Sequence, residues 1–155
     1  QAFEEIVGSS TRLLATLLAD RQLVIEVPRQ LPLVCFDAVL LERVLCNLLE
    51  NAVKYSPDGA RIRLKAAIRA GSLEIAVDND GAGFPADRTE QLFDLFARGE
   101  QEPAVAGTGL GLAICKSIVA AHGGTIFAEN RPDGACVRFT LPLGTPPAVE
   151  DEESI

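Results

Sequence analysis

Four polar side chains recur at a spacing that could hold a metal ion and phosphates. They are three and four residues apart, so on a helix they share one face. They are Asn47, Glu50, Asn51 and Lys54. Amide oxygens and a lysine suit a hydrated Mg²⁺ ion and the phosphates that it bridges, because Mg²⁺ prefers oxygen ligands and retains several waters. A solvent-exposed polar helix face is the more frequent explanation of such a spacing taken alone.

Two glycine-bearing segments lie further along the chain. Asn79–Gly83 follows a predicted strand, and its two glycines suit a sharp turn or a backbone that a ligand approaches closely. Gly107–Leu112 alternates three glycines before a predicted helix, whose first N–H groups and dipole attract phosphate. Taken alone, the first segment is only a turn, and the pattern of the second does not exclude a hinge without a ligand.

Apolar residues at helical spacing predict the elements that would position these segments. The predicted helices are Phe3–Ala19, Ala38–Lys54, a short one over Thr89–Phe96, and Gly109–Ala121. Asp37 is the expected N-cap of the second helix, and Gly123-Gly124 ends the last one. Residues 98–107 have little periodicity and are expected to form a mobile loop.

Alternating and β-branched stretches predict five strands. These are Leu23–Val27, Arg61–Lys65, Leu73–Val77, Thr125–Ala128 and Ala135–Leu141. Turn residues predict hairpins between the second and third strands and between the fourth and fifth. Helices and strands are mixed without a repeating strand-helix-strand period, which favours an α+β, two-layer fold over a doubly wound sheet.

The composition indicates one domain that does not bind nucleic acid. A chain of 155 residues has the size of one ordinary domain, which we place at residues 1–143. Its 14 Lys and Arg residues against 22 Asp and Glu give a net charge of -8, whereas nucleic-acid binding relies on clustered cations. Residues 144–155 are acidic and are predicted to be a disordered tail. No apolar run suits a membrane span and no leader opens the chain, so we expect a soluble fragment.

The cysteines and the single histidine indicate structural roles. Cys35, Cys46, Cys115 and Cys136 are widely spaced among apolar neighbours. Without a C-x-x-C pair, they are better explained as reduced core thiols of a cytosolic protein than as a metal site. His122 stands at a predicted helix end, before two glycines, and we interpret it as structural.

Taken in order, four segments resemble the nucleotide-binding boxes of the histidine kinase catalytic domain. The segments are Asn47–Tyr55, Asn79–Gly83, Phe93–Phe96 and Gly107–Leu112. The resemblance extends from about Phe3 to Pro142, and it implies the Bergerat fold shared with gyrase, the heat-shock chaperone ATPases and MutL. That fold is a two-layer α/β sandwich, in which a mixed, mostly antiparallel sheet is backed by three helices and ATP lies under a flexible lid.

The resemblance implies a role for each matching residue. Asn47 and Asn51 would hold Mg²⁺, Lys54 would meet the phosphates, and these three are the expected catalytic residues. Tyr55 would lie beside the adenine, and Asn79 would accept a hydrogen bond from the adenine amine. The other expected ATP-binding residues are Glu50, Gly81, Gly83, Phe96, Arg98, Gly107, Thr108, Gly109, Leu110 and Gly111, with residues 98–106 as the lid.

Two positions depart from the pattern of related proteins. Asn79 stands where the family usually has aspartate, so its amide oxygen can accept from adenine only without the charge-assisted component. The loss of this component is consistent with weaker or less selective ATP binding. Asn47 stands where related ATPases use a glutamate to activate water, and an amide cannot act as that base. This difference favours phosphoryl transfer to a protein over hydrolysis.

The function that the resemblance implies is donation of the γ-phosphate of Mg-ATP to a histidine. That histidine is expected in a dimerisation domain of the same parent chain, on a helix before Gln1. The parent is expected to be an inner-membrane sensor kinase that acts on a response regulator. The cytoplasmic fragment alone is expected to be mostly monomeric.

A narrower similarity is to the Kdp potassium-starvation sensor kinases, and it implies potassium or osmotic signalling. It lies in Leu92–Gly99, Ala106–Lys116 and Ala128–Pro132. One alternative on the same fold is a nucleotide-responsive binding module without turnover, which Asn79 motivates. Another is a serine kinase of the anti-sigma type, against which the Kdp-like segments count.

Overall fold

A five-stranded sheet with helices packed on it forms the fold. The computed structural model describes residues 2–31, 34–85, 92–93 and 110–143, without the side chain of Leu110. The helices are α1 (Phe3–Leu13), α2 (Ala15–Leu18), α3 (Ala38–Lys54) and α4 (Leu110–Ala121). The strands are β1 (Gln22–Glu26), β2 (Arg61–Arg69), β3 (Ser72–Asp80), β4 (Ile126–Arg131) and β5 (Gly134–Pro142).

The strands follow the order β1-β2-β3-β5-β4 across the sheet. β1 and β2 are parallel, and the other neighbouring strands are antiparallel. Three longer helices, α1, α3 and α4, accompany the short α2. The predicted α+β sandwich with a mixed, mostly antiparallel sheet is confirmed.

Alternate side chains of the strands form the core together with the apolar face of α3. Every second residue of β2, β3 and β5 is buried, as are residues at helical spacing on α3. They include Ile62, Leu64, Leu73, Ile75, Val77, Val137, Phe139 and Leu141 on the strands, and Leu41, Val44, Leu45, Leu48 and Leu49 on α3. Burial of each such large side chain contributes roughly 1.5–3 kcal/mol relative to exposure.

α3 begins and ends where the sequence predicts. The Asp37 side chain accepts a hydrogen bond from the Leu40 N–H at 3.0 Å, which caps the first turn. At the other end, Arg21 donates to the carbonyl oxygens of Val53 at 3.1 Å and Ser56 at 2.9 Å. Side chains therefore satisfy backbone groups at both ends of this helix.

The prediction of one helix over Phe3–Ala19 is wrong. α1 ends at Leu13, and α2 follows Leu14, whose φ of -104° and ψ of 18° lie outside the helical region. An unbroken helix would also keep Leu14 and Leu18 on the core side, so the apolar spacing could not locate the break. The chain turns here because it must reach the C-terminal end of α3, where β1 starts beside β2.

β2 and β3 are longer than predicted, at nine residues each. Ala70-Gly71 forms their two-residue turn, with positive φ at both residues as in a type I′ hairpin. Asn79 and Asp80, which the sequence places in a loop, are the last residues of β3 and pair with Ala135 and Gly134. Pairing with neighbouring strands outweighs the low strand propensity of asparagine and aspartate. The other three strands agree with their predicted positions to within a few residues.

The four cysteines are all free thiols, but they do not all lie in the core. Cys115 and Cys136 are buried, Cys46 is half-buried, and Cys35 is exposed. The prediction of a core position is therefore wrong for Cys35. It lies in the irregular segment between β1 and α3, where apolar sequence neighbours do not turn a side chain toward the core.

Three predicted segments fall wholly or partly outside the described residues. Of the predicted helix over Thr89–Phe96, the structure describes Leu92 and Phe93, both buried. The predicted loop at residues 98–107 and the predicted tail at residues 144–155 lie outside the description. In the part of the chain that is described, no helix is both long and apolar enough to cross a membrane.

We expect Gly134→Ala to destabilise the fold strongly. A Cβ at this position would overlap the backbone carbonyl of Asn79 on the neighbouring strand, and the strands cannot separate without losing their pairing. The free energy of unfolding, measured by urea titration, should fall by roughly 3 kcal/mol or more.

Gly59→Ala is the matched control for this substitution. Gly59 has a φ of 80° and no atom within 4 Å of an added Cβ. Only backbone strain of about 1 kcal/mol is expected there. Equal losses in the two variants would contradict the steric explanation for Gly134.

Candidate functional site

The first turn of α4 lies against the polar face of α3. The side-chain N–H of Asn47 donates to the carbonyl oxygen of Gly111 at 3.2 Å. A Cβ on Gly111 would lie 3.5 Å from the Asn47 amide, which is ordinary van der Waals contact. Two predicted site residues that are 64 positions apart in the chain are therefore adjacent in the structure.

The polar face of α3 is partly sheltered from solvent. Asn51 lies one turn after Asn47 and is 9% exposed, whereas Glu50 is exposed to solvent. The Lys54 ammonium lies 5.4 Å from the ring centroid of Tyr55, within cation–π distance. All five predicted residues lie on the last turns of α3 and its C-terminal end. The Asn47 and Asn51 amides are more sheltered from solvent than the Glu50 carboxylate. This sheltering favours a ligand site over a solvent-exposed polar helix face.

The donor groups of this face fit magnesium. Among the residues that the structure describes, no three His, Cys, Asp or Glu side chains are grouped to hold a metal ion. A metal bound by Asn47 and Asn51 would therefore depend on amide oxygens, water and the phosphates of a ligand. Mg²⁺ takes oxygen ligands and keeps several waters, whereas structural zinc sites require thiolate or imidazole ligands.

Asn79 has a defined orientation at the end of β3. Its Nδ2 donates to the carbonyl oxygens of Tyr55 at 3.1 Å and Asp80 at 3.2 Å, and the residue is 4% exposed. Both neighbours are acceptors, so the amide must turn its NH₂ group toward them. Its Oδ1 is then left to accept from another group. This is the capacity that the family resemblance requires for the adenine amine.

Tyr55 and Phe84 form an aromatic wall beside Asn79. Their ring centroids are 4.9 Å apart at an interplanar angle of 77°, an edge-to-face contact. Gly81 packs closely here, because a Cβ on it would lie 2.5 Å from the Tyr55 carbonyl oxygen. The sequence explains Gly81 by room for a ligand, and the structure adds that the protein's own backbone requires a glycine.

Asn130 on β4 belongs to this region, and the sequence interpretation gives it no role. Its Oδ1 accepts from the Phe84 N–H at 2.8 Å, and its Nδ2 donates to the Phe84 carbonyl oxygen at 3.0 Å. Gly83 has a φ of 87° and lies against the same amide, where a Cβ would come within 2.7 Å of Oδ1. The sequence signal that could have indicated Asn130 is an asparagine within a strand, where this residue is uncommon.

A charged cluster holds the same end of β3 from the opposite face of the sheet. The carboxylate of Asp78 is 1% exposed and pairs with Arg63. Its Oδ2 also lies 2.9 Å from Nη1 of Arg131 and 3.9 Å from Nζ of Lys65. The hydrogen bond from Arg63 to Asp80, at 2.9 Å, is the main cause that raises the pKa of Arg63. These groups line a cavity of about 340 Å³ on the face away from α3.

His122 has a structural role, as the sequence predicts. Its Nδ1 lies 2.9 Å from the Ile118 carbonyl oxygen, and its Nε2 accepts from the Asp37 N–H at 3.0 Å. An acceptor beside Nδ1 and a donor beside Nε2 assign the neutral tautomer that carries its proton on Nδ1. The imidazole therefore ties the end of α4 to the start of α3.

Cys115 packs α4 on α3 behind the site. Its Sγ lies 3.8 Å from the Val44 carbonyl oxygen, and burial raises the pKa of its thiol to about 12. The thiol therefore stays protonated at neutral pH and provides no nucleophile.

Five predicted site residues lie outside the described residues. They are Phe96, Arg98, Gly107, Thr108 and Gly109. Leu110 begins α4, but its side chain is not described.

Comparison with known proteins gives these features a family. Residues 36–145 match the family model of the histidine kinase-, DNA gyrase B-, and HSP90-like ATPases. The sensor protein KdpD of Escherichia coli (strain K12) is 48% identical over 149 residues, which cover 96% of this chain and 17% of that protein. The adaptive-response sensory kinase SasA of Thermosynechococcus vestitus is 38% identical over 120 residues, which cover 76% of this chain and 32% of that protein.

Solved structures show the same similarity. The catalytic domain of histidine kinase ThkA has a TM-score of 0.79 at 26% identity, covering 90% of this chain and 93% of that chain. The mycobacterial sensor histidine kinase MprB has a TM-score of 0.76 at 30% identity, with coverage of 90% and 93%. The chain therefore belongs to the histidine kinase-, DNA gyrase B-, and HSP90-like ATPase family. The relatives KdpD and SasA are sensor kinases, of which this chain spans 17% and 32%, and the matched family is one of ATPases.

Asn79→Asp should destabilise the chain at neutral pH, although the family resemblance implies an aspartate at this position. A carboxylate would face the carbonyl oxygens of Tyr55 and Asp80 without a proton to donate, which costs about 1–3 kcal/mol. This environment raises the pKa of the new carboxyl above its ordinary value of about 3.9. The loss is therefore small below that pH and grows as pH rises through the raised pKa.

Urea unfolding of both proteins between about pH 4 and about pH 8 measures this difference, since the range begins near the ordinary carboxyl pKa and extends to neutral pH. The gap in free energy of unfolding should widen with pH. A gap that is absent, or constant over the range, would contradict the assigned orientation of the Asn79 amide.

Proposed function

We propose that this domain binds Mg-ATP on the polar face of α3 and donates the γ-phosphate to a histidine of a separate dimerisation domain. The observation that carries the proposal is the contact between Asn47 and Gly111, because it brings the amides of α3 to the first turn of α4. A helix N-terminus attracts phosphate through its unpaired N–H groups and its dipole. The phosphates therefore lie between these two helices.

The residues of α3 divide the work at the phosphate end. Asn47 and Asn51 provide oxygen ligands for the metal, and Lys54 contacts the phosphates. Mg²⁺ supplies neutralisation of the phosphate charge when it is bound. Asn47 has no basic group with which to activate water, which favours transfer to a protein over hydrolysis. The similarity to sensor histidine kinases supports a histidine nitrogen as the acceptor. A nitrogen–phosphorus bond forms while the bond to the β,γ-bridging oxygen breaks, and ADP leaves.

The adenine lies beside Tyr55 and against Asn79. The Oδ1 of Asn79 accepts from the adenine amine, and the aromatic wall of Tyr55 and Phe84 provides apolar contact. An amide whose orientation is already fixed loses little freedom on binding, which offsets part of the missing charge. This favours a competent ATP site over a binding module that has lost turnover. Full-length ShkA, which is 26% identical with a TM-score of 0.79, was solved in complex with AMPPNP, which supports nucleotide binding by a protein of this fold.

The similarity to KdpD supports a narrower proposal for the parent protein. At 48% identity over nearly the whole chain, it favours a role in potassium or osmotic signalling. The chain spans 17% of KdpD and 32% of SasA. In this proposal, the stimulus-sensing part, the phosphoacceptor histidine and the contact with a response regulator belong to the parent chain of a membrane sensor, and this domain lies on the cytoplasmic side.

Calorimetric titration with Mg-ATP tests the proposed role of Asn51. Asn51→Ala should weaken binding roughly tenfold or more, because one ligand of the metal is lost. In EDTA the wild-type chain and the variant should bind ATP with similar, weaker affinity, since Asn51 acts through the metal. Glu42→Gln is the control: Glu42 lies on the side of α3 that contacts Ser9 of α1, and its replacement should leave affinity unchanged.

A phosphotransfer assay separates kinase activity from nucleotide binding alone. The domain is mixed with labelled ATP and a separate piece of the parent chain that carries the dimerisation helices. Acid-labile phosphate should accumulate on that piece, while hydrolysis by the domain alone stays slow. Tight ATP binding without transfer, although a longer piece of the parent autophosphorylates, would instead support a binding module without turnover.

A further inference from the structure

Asn130, on the edge strand β4, holds the backbone of Phe84 just after the glycine loop. Its side chain accepts from the N–H of Phe84 and donates to the carbonyl oxygen of the same residue, at 2.8 and 3.0 Å. The Asn130 carboxamide thus makes the two hydrogen bonds with Phe84 that the backbone of a neighbouring strand would otherwise make. Because both backbone groups of Phe84 are bound, the position and the rotation of its backbone are fixed.

Phe84 in turn contacts Tyr55, and Tyr55 contacts Asn79; these are the residues proposed to bind adenine. The Phe84 ring meets the Tyr55 ring edge-on at a centroid distance of 4.9 Å. The Tyr55 carbonyl oxygen accepts from Asn79 at 3.1 Å. Asn130 itself belongs to β4 and pairs with Ala135 in the sheet. These contacts connect the edge strand β4 to the aromatic wall and to Asn79, the proposed acceptor for the adenine amine.

Asn130 is exposed on one side, but its two hydrogen bonds to Phe84 require a side chain that both donates and accepts. Gly83 leaves the space that the amide occupies, since a Cβ there would lie 2.7 Å from its Oδ1. Aspartate has the same shape but cannot donate to the Phe84 carbonyl oxygen, and alanine can neither donate nor accept. The Gly81 N–H donates to the Asp133 carbonyl oxygen at 2.8 Å, so the β4–β5 turn holds this loop at a second point.

We propose that Asn130 is a positioning residue that sets the base-binding wall formed by Tyr55, Phe84 and Asn79, and through it the affinity for the adenine nucleotide. The inference rests on the proposed function, which places adenine at this wall. Asn130 acts through Phe84 and touches neither the nucleotide nor the acceptor histidine. Loss of its amide therefore affects nucleotide binding and leaves the phosphate end, at Asn47 and Gly111, intact.

The chain contains a built-in reporter for this wall. It has one tyrosine, Tyr55, and no tryptophan. The tyrosine signals in near-ultraviolet circular dichroism and in fluorescence emission therefore come from Tyr55 alone. They depend on the packing of its ring against Phe84, and they can be recorded with no nucleotide present.

The experiment compares Asn130→Ala and Asn130→Asp with Glu129→Gln. Glu129 is the preceding residue of β4, and its carboxylate pairs with Arg138 at 3.0 Å on the other face of the sheet. Both Asn130 variants should change the Tyr55 signal without nucleotide, and both should raise the dissociation constant for Mg-ATP, by roughly tenfold for the alanine variant. Glu129→Gln should match the wild type in both measurements.

Transfer kinetics provide a readout that a general loss of stability would not produce. With the acceptor-bearing piece of the parent chain, the alanine variant should show a raised KM for ATP. Its kcat at saturating ATP should stay within about twofold of wild type, since an interaction that aids substrate binding alone is lost. A fall in kcat with unchanged KM would overturn the inference.

The outcomes separate this inference from the proposed function. If the wild type binds Mg-ATP and Asn130→Ala matches Glu129→Gln in both the Tyr55 signal and the affinity, the inference is wrong and the proposed function stands. If the wild type does not bind Mg-ATP, the proposed function fails, and the Tyr55 signal alone decides whether Asn130 positions the wall. If the alanine variant is unfolded by far-ultraviolet circular dichroism, the isosteric aspartate variant is judged by the same criteria.

Discussion

The packing of α3 against the sheet sets the positions of the other parts of the site. Leu45, Leu48 and Leu49 are at most 1% exposed, and at about 3.6 residues per turn their burial fixes the rotation of the helix. Asn47 and Asn51 lie between and beside these leucines in sequence, and turning them inward would bury amides among apolar groups at a large cost. The amide face is therefore turned away from these leucines, and on that side Asn47 contacts α4. Its direction follows from hydrophobic burial rather than from its own hydrogen bonds.

β3 connects this core to the base end of the site, because its side chains alternate between the two faces of the sheet. Asn79 points toward the helices, while Asp78 points away from them into the charged cluster with Arg63 and Arg131. Ends of strands ordinarily fray. Here ion pairs hold one face and hydrogen bonds to Tyr55 hold the other, so the residue proposed to recognise adenine has little freedom to move.

The features that could be predicted from the sequence are those determined by residues close together in the chain. The bounds of α3 follow from an N-cap at Asp37 and an apolar period within the helix itself. The last residues of β3 were missed because Asn79 and Asp80 are poor strand formers, and only pairing with distant strands makes them extended. The role of Asn130 was missed because its partner is 46 positions away in the chain. The break after α1 was missed because burial at Leu14 is the same with or without it.

Hydrogen bonds that connect α3 and α4, or the residues flanking them, join positions that are far apart in the chain. Asn47 and Gly111 are 64 positions apart, and Asp37 and His122 are 85 positions apart. Contacts of such high contact order close long loops, so we expect this helix pair to assemble late in folding, after the β2–β3 hairpin. A nucleotide bound between these helices meets only the finished fold. Under the proposed function, its binding would shift the folding equilibrium of the whole domain by mass action, so that ATP would act as a folding ligand as well as a substrate.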